Sequence, residues 1–173
     1  MANLTQMIST EYGGVKKGFF FPIYEFQADG FKICLQDKQK DIVKVEVFCT
    51  PPFILEIRKR QISLNLGKLR KFDIPGLEEK LLCKTNAPER ARAYFANTRN
   101  IKIIDEFMFG DEQMQGQVKS VTGRHLTLVE SLSFREHSVV SFEPWSYVAA
   151  LAEGMKQRAK ERLSLLVEIA KTL

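Results

Sequence analysis

Residues 24–48 read YEFQADGFKICLQDKQKDIVKVEVF, and this stretch decides the fold. Asp29-Gly30 is a strong signal for a two-residue hairpin turn, and the residues on either side of it alternate between apolar and polar. The polar run over 36–41 predicts a second turn, after which the alternation resumes over 43–47. Two turns between alternating segments predict an antiparallel β-meander.

The elements around the meander are predicted from shorter signals. Residues 4–12 predict a short helix, and Gly13-Gly14 ends it. An extended aromatic segment follows over 17–26. A further strand is predicted over 55–58, where apolar and polar residues again alternate. Another short strand is predicted over 81–84.

Helices are predicted in the second half of the chain. Asn86 is the expected N-cap of a helix, with Pro88 in its first turn and Glu89 completing a capping box. A second short helix is predicted over 101–109. Two strands joined in a later hairpin are predicted over 117–121 and 125–129.

A long C-terminal helix is predicted from about 143 to 171, with Ser141 as a candidate cap. It carries one apolar stripe at intervals of three and four residues, made of Val148, Ala152, Met155, Ala159, Leu163, Leu166 and Ala170. Because strands occur in runs and do not alternate one for one with helices, the predicted fold is α+β. It is an antiparallel β-sheet, a meander plus a later hairpin, with short helices and the long helix packed on one face. The length of 173 residues predicts a single domain over 1–173.

The positive charge is concentrated in one segment. The formal net charge is +5, and the segment 58–71 carries six cations and no acid: Arg58, Lys59, Arg60, Lys68, Arg70 and Lys71. One interpretation is contact with an anionic surface, either lipid headgroups or nucleic acid. The other is an edge strand whose cations discourage aggregation. No aromatic residue is interleaved to stack bases, so no specific nucleic acid is expected.

The sequence carries no catalytic or metal-binding motif. His125 and His137 are not in a paired metal-ligand spacing, and there is no C-x-x-C pair, phosphate loop or nucleophile elbow. We therefore expect no cofactor and no metal. The three cysteines, Cys34, Cys49 and Cys83, are an odd number among β-type neighbours, which predicts buried thiols in a reducing compartment.

Several runs in this chain together resemble a known family. Residues 12–18 read YGGVKKG, 52–60 read PFILEIRKR, 66–69 read LGKL, 76–81 read GLEEKL and 84–91 read KTNAPERA. In this order they resemble an uncharacterised bacterial domain of unknown function that commonly follows one or two transmembrane helices. The family typically has two acidic residues before its Pro-Glu pair, and this chain has Asn86-Ala87 at those two positions instead.

The family has no assigned activity, so the resemblance implies only a location in the cell. It implies the cytoplasmic side of the inner membrane, with a membrane hairpin preceding Met1 in the natural protein. Within the chain itself, no continuous apolar stretch reaches the roughly 18 to 20 residues that cross a bilayer. If the domain is not anchored, we expect it in the cytoplasm.

The leading hypothesis is a non-enzymatic scaffold or interaction domain of a membrane-anchored bacterial protein. Its expected partners are an anionic membrane surface or another protein, and its C-terminal helix is a candidate homodimer contact. One alternative is a small-ligand-binding domain or enzyme whose pocket is lined by some of the 13 Phe residues. The other is a weak nucleic-acid binder.

Overall fold

The computed structural model describes residues 4–20, 22–39, 42–60, 69–110, 131–144 and 152–173. Nine strands and four helices lie in these ranges. In chain order they are α1 (Leu4–Glu11), β1 (Val15–Lys17), β2 (Ile23–Ala28), β3 (Phe31–Gln39), β4 (Ile42–Phe48), β5 (Leu55–Lys59), β6 (Arg70–Phe72), β7 (Leu81–Thr85), α2 (Pro88–Phe95), α3 (Thr98–Phe109), β8 (Ser131–Phe134), β9 (Ser138–Pro144) and α4 (Ala152–Lys171).

The strands form one sheet in the order β1-β2-β3-β4-β9-β8-β5-β7-β6, and every neighbouring pair is antiparallel. The predicted meander is β1 to β4. The hairpin of β8 and β9 then joins the meander to β5, β7 and β6. The α+β prediction, with an antiparallel sheet and a C-terminal helix, is confirmed.

The turn between β2 and β3 forms where the sequence predicts it. Asp29 and Gly30 both have positive φ, 49° and 83°, as a two-residue turn with the right twist requires. They join the paired residues Ala28 and Phe31. The turn therefore sets the register of β2 against β3, and this register places every second side chain of these strands against the core.

The core lies between the sheet and the helices. Alternate strand positions such as Ile33, Val45 and Leu55 are fully buried and belong to one cluster with Ile8 of α1 and Leu166 of α4. Many of the aromatic residues pack on each other there. The ring pairs are Phe53–Tyr94, Phe53–Phe134, Tyr94–Phe134, Tyr94–Phe95 and Phe72–Phe95, with centroids 4.9 to 5.8 Å apart.

The long helix begins later than predicted. Glu143 and Pro144 belong to β9, where Glu143 pairs with Val43 of β4, and the described helix runs over Ala152–Lys171. Pairing along the whole length of β4 outweighs the local cap and proline signals, because each added pair satisfies backbone groups at the centre of the sheet.

The apolar stripe of α4 is buried at each of its members whose side chain the structure describes: Ala159, Leu163, Leu166 and Ala170. Val148 and the side chains of Ala152 and Met155 lie outside the described part. This helix packs on α1, α3, β4 and β9 of its own chain. A homodimer through it stays a prediction.

The cap of α2 and the start of α3 also differ from the prediction, whereas Pro88 lies in the first turn of α2 as predicted. Ala87 is the N-cap of α2, and the Asn86 side chain instead accepts a hydrogen bond from the backbone N–H of Ile54, at 2.8 Å. Asn86 therefore ties the start of the helix to the start of β5. Helix α3 begins at Thr98, where the Asn97 side chain accepts from the Arg99 N–H at 3.0 Å. The predicted strands over 117–121 and 125–129 lie outside the described residues.

Candidate anionic-surface site

The six cations of the basic segment do not lie on one face. Alternation along the strands places Arg58 and Lys71 on one face of the sheet, and Lys59 and Arg70 on the helix-covered face. Arg60 follows β5 directly. Lys68 lies outside the described residues.

The segment also divides between an internal strand and an edge. β5 pairs with β8 on one side and β7 on the other, whereas β6 is at the end of the strand order. Arg70 and Lys71 are therefore on an edge strand, where cations discourage pairing with another chain. That explanation does not apply to Arg58, Lys59 and Arg60.

Two lysines meet over one aromatic ring at the end of β5. The Nζ of Lys59 lies 5.0 Å from the centroid of the Phe109 ring, and the Nζ of Lys80 lies 5.1 Å from it. The two ammonium groups are thus within about 10 Å of each other, one Debye length at 0.1 M salt. Arg60 lies beside them: its backbone N–H donates to the Lys80 carbonyl at 3.0 Å, and its guanidinium donates to the carbonyl of Glu78, two residues before Lys80. We call Lys59, Arg60, Lys80 and Phe109 the Phe109 cluster.

A backbone carbonyl and a carboxylate contact the Arg60 and Lys80 side chains of the Phe109 cluster. Arg60 donates through Nε and Nη2 to the backbone carbonyl of Glu78, at 3.1 and 2.8 Å. The Glu78 carboxylate accepts from the Gly76 N–H instead. Asp105 lies 3.7 Å from the Lys80 Nζ. Arg60 and Lys80 remain exposed, so the cluster can contact an anionic partner.

The other described cations of the segment are less available or more isolated. Arg58 is half-buried, and its Nε has no hydrogen-bond partner. Lys71 pairs with Asp73 at 3.3 Å. Arg70 is exposed at the start of β6, where it pairs with Thr85 at the end of β7 that is away from Lys80.

Sequence reasoning missed Lys80. It lies 21 residues after Lys59 along the chain and reaches the cluster because Lys59 pairs with Leu81 across β5 and β7. Only the strand register brings these lysines together. The positions of the apolar residues in β7 do not reveal which strand it joins.

A second exposed feature lies between β1 and β2, where a continuous strand was expected over 17–26. Phe19 and Phe20 are 89% and 84% exposed, and their rings meet edge to face at 5.3 Å. Gly18 before them has a φ of 78°. We call Gly18, Phe19 and Phe20 the Phe loop. The signal that could have found it is a run of aromatics between Gly18 and Pro22 with no polar residue to alternate.

The Phe loop and the Phe109 cluster each follow the C-terminal end of a strand. Because all neighbouring strands are antiparallel, β1 and β5 run in the same direction. Six strand spacings separate β1 from β5, which is roughly 29 Å along the twisted sheet at about 4.8 Å each.

Two of the concave regions in the described part of the chain lie beside α3 and α2. A cavity of about 290 Å³ between α3 and α4 is lined by Glu106, Gly110, Arg158, Glu161, Arg162, Ser164 and Leu165. A groove of about 440 Å³ lies beside β6 and α2, and Phe72 and Phe95 are its aromatic side chains. Neither brings together a nucleophile, a base and an oxyanion donor.

Histidine and cysteine side chains form no cluster in the described part of the chain. No group of three His, Cys, Asp or Glu side chains there could hold a metal ion. His137 is exposed, and His125 lies outside the described ranges. All three cysteines are free. The predicted burial is confirmed for Cys83 and was wrong for Cys34 and Cys49, which are half-buried. No helix within the described ranges is both long and apolar enough to cross a bilayer.

Neither a protein-family model nor a curated protein matches this sequence. The fold is similar to the crystal structure of the mycobacterial trehalose monomycolate transport factor A, TtfA, with a TM-score of 0.52. The match covers 94% of this chain and 93% of that one, at 9% sequence identity. The similarity therefore extends along nearly the whole chain, and at this identity it shows a shared fold.

Proposed function

We propose that this chain is a non-enzymatic scaffold or interaction domain that works beside a membrane and contacts its anionic surface through the Phe109 cluster. The observation that carries the proposal is the convergence of Lys59, Arg60 and Lys80 at the end of an internal strand. Edge protection does not account for cations at that place, and the fold brings one of them from a distant part of the sequence.

The physics of an anionic surface suits such a cluster. Each cation near the headgroups of an anionic bilayer contributes about 1 kcal/mol, and added salt weakens the attraction. Three cations therefore give weak binding, which suits a domain whose anchor supplies its local concentration. The resemblance to domains that follow transmembrane helices supports an anchored protein on the cytoplasmic side of the inner membrane. TtfA is named for a transport role, and an accessory role in transport at a membrane is consistent with this proposal.

Vesicle co-sedimentation tests the proposal. The wild type should bind vesicles of phosphatidylcholine with phosphatidylglycerol at low salt, and should lose most of that binding at high salt. Replacing Lys59, Arg60 and Lys80 with Gln should abolish it. The matched control replaces Arg90, Arg92 and Lys171 with Gln, which removes the same charge from exposed positions at the opposite end of the sheet.

Each comparison has an outcome that contradicts the proposal. Equal loss of binding in both triple variants would mean that only net charge matters. If the Phe109-cluster variant binds as well as the wild type, the vesicles contact another surface of the protein and the proposal is wrong. Duplex DNA is the comparator for the alternative that the domain binds nucleic acid. If the wild type binds DNA more tightly than lipid, that alternative is the better account.

A further inference from the structure

The Phe loop carries the two most exposed large apolar side chains among the described residues. Phe19 and Phe20 are 89% and 84% exposed, and the next most exposed large apolar residue, Val15, stands at 60% just before them. Isolated exposed apolar residues are ordinary on protein surfaces, but adjacent phenylalanines at a loop tip are not. Their rings contact each other, and such a pair is costly in water unless something covers it.

Two lysines precede the Phe loop, and one of them is paired with an acid. Lys16 and Lys17 come immediately before it, and the sequence has no acid from Tyr12 to Tyr24. The Lys17 Nζ is 2.6 Å from a carboxylate oxygen of Glu25 on the neighbouring strand. Lys16 is exposed on the edge strand. Aromatic rings beside lysines are the combination found where a protein meets the headgroup layer of a bilayer.

The strand that presents the loop is held firmly. All three residues of β1 pair with β2, and the ring of Tyr12 stacks on Phe26 with centroids 4.9 Å apart. Gly14 passes so close to α1 that a Cβ there would lie 2.0 Å from the Ser9 Oγ. The base of the loop is thus fixed to the sheet and to α1, while its tip projects without contacts to the core.

We propose that Phe19 and Phe20 insert into the interfacial layer of an anionic bilayer while Lys16 contacts the headgroups. The area favours a bilayer over a protein partner: two phenylalanines present roughly 300 to 500 Å². A stable protein interface needs about 800 Å² on each side. This inference rests on the proposed function, and it adds an apolar, salt-resistant component to the electrostatic contact of the Phe109 cluster.

Two variants and their control test the insertion. Phe20→Trp should show an added indole emission, relative to wild type, that brominated phosphatidylcholine quenches when phosphatidylglycerol is present. The double variant Phe19→Ala/Phe20→Ala should bind the same vesicles at least about tenfold more weakly, because burying one such ring is worth that factor or more. Phe48→Ala is the control, since Phe48 is partly exposed at the other end of the sheet and should leave binding unchanged.

The outcomes separate this inference from the proposed function. If the wild type binds anionic vesicles but the indole is not quenched and the double variant binds equally well, insertion is wrong and the electrostatic contact stands. If the wild type binds no vesicles at low salt, both are wrong. If the wild type is a dimer in solution and the double variant a monomer, a second copy of the chain covers the rings and insertion is again wrong.

Discussion

The Nε of Arg162 in α4 donates a hydrogen bond to the Glu143 carboxylate in β9, at 2.5 Å, with both side chains almost completely buried. The second carboxylate oxygen of Glu143 accepts from the Ser141 hydroxyl at 2.7 Å. Arg162 also donates through Nη1 to the Phe107 carbonyl at 2.7 Å. This ion pair therefore links the middle of the sheet, the C-terminal helix and α3.

Glu143→Gln should strongly destabilise the protein, because it leaves the Arg162 charge buried beside an amide. Removing one partner of a buried pair costs about 3 to 5 kcal/mol. Urea unfolding followed by circular dichroism measures the change, with the exposed Glu161→Gln on the same helix as control. The double variant Glu143→Leu/Arg162→Met should recover much of the loss. A single variant as stable as wild type would mean that the charge is not buried in solution.

Leu166→Asp tests the packing of the C-terminal helix. Leu166 is fully buried, so the change removes apolar contacts and buries a carboxylate, at a cost of at least about 3 kcal/mol. Ser164→Asp places the same residue on the exposed side of the same helix and should change the unfolding free energy little. Equal stability of the two variants would show that this face of α4 does not pack on the sheet.

The cysteines should differ in reactivity. Burial raises the pKa of the Cys83 thiol to about 12, so almost none of it is thiolate at neutral pH. Burial also raises the pKa of Cys34 and of Cys49, which are only half-buried. Maleimide labelling of the native protein, read by mass spectrometry, should modify Cys83 last and only on unfolding. Labelling of Cys83 at the rate of Cys34 would contradict its place in the core.

Acid should release a contact between the first and last helices. Side-chain hydrogen bonds from Lys156 and then Lys160 hold the pKa of the Glu11 carboxyl below its ordinary value of 4.5. A lowered pKa in the folded state means that the contribution to stability is complete well above pH 4.5 and is lost as the pH falls through the folded value.

Glu11→Gln should therefore lower the stability at neutral pH and should converge with wild type in strong acid. Urea unfolding across this pH range measures the difference, and added salt should shrink it. The control is Glu79→Gln, which removes an exposed acid from a surface turn. Parallel pH profiles for wild type and Glu11→Gln would exclude the contact.

Local signals predicted the meander well because each depends on few residues. The Asp29-Gly30 turn and the alternation around it determine their own register, and the stripe of α4 is likewise a local pattern. The start of the long helix was wrong because Glu143 pairs with Val43, 100 positions earlier, and such pairing cannot be read from the residues beside Glu143. Asn86 was misassigned for a related reason, since its partner is the Ile54 backbone.

The candidate site was predictable only in part. Composition alone identified the basic segment, which contains Lys59 and Arg60. The contribution of Lys80 depends on the register of β5 and β7, and the cation–π contacts depend on where α3 ends at Phe109. The sequence did not reveal that the Phe loop is exposed, because runs of aromatic residues usually belong to the core. Phe19 lies outside the core because β1 is short and ends at Lys17.

Lysine footprinting of the wild type on vesicles tests the central claim most directly. An amine-reactive reagent is applied with anionic vesicles and with neutral ones, and mass spectrometry gives the modification of each lysine. Contact through the Phe109 cluster predicts that Lys59 and Lys80 are protected only on anionic vesicles, while the exposed Lys102 of α3 and Lys171 of α4 react as before. Equal reactivity of all four lysines on both kinds of vesicle would contradict the account.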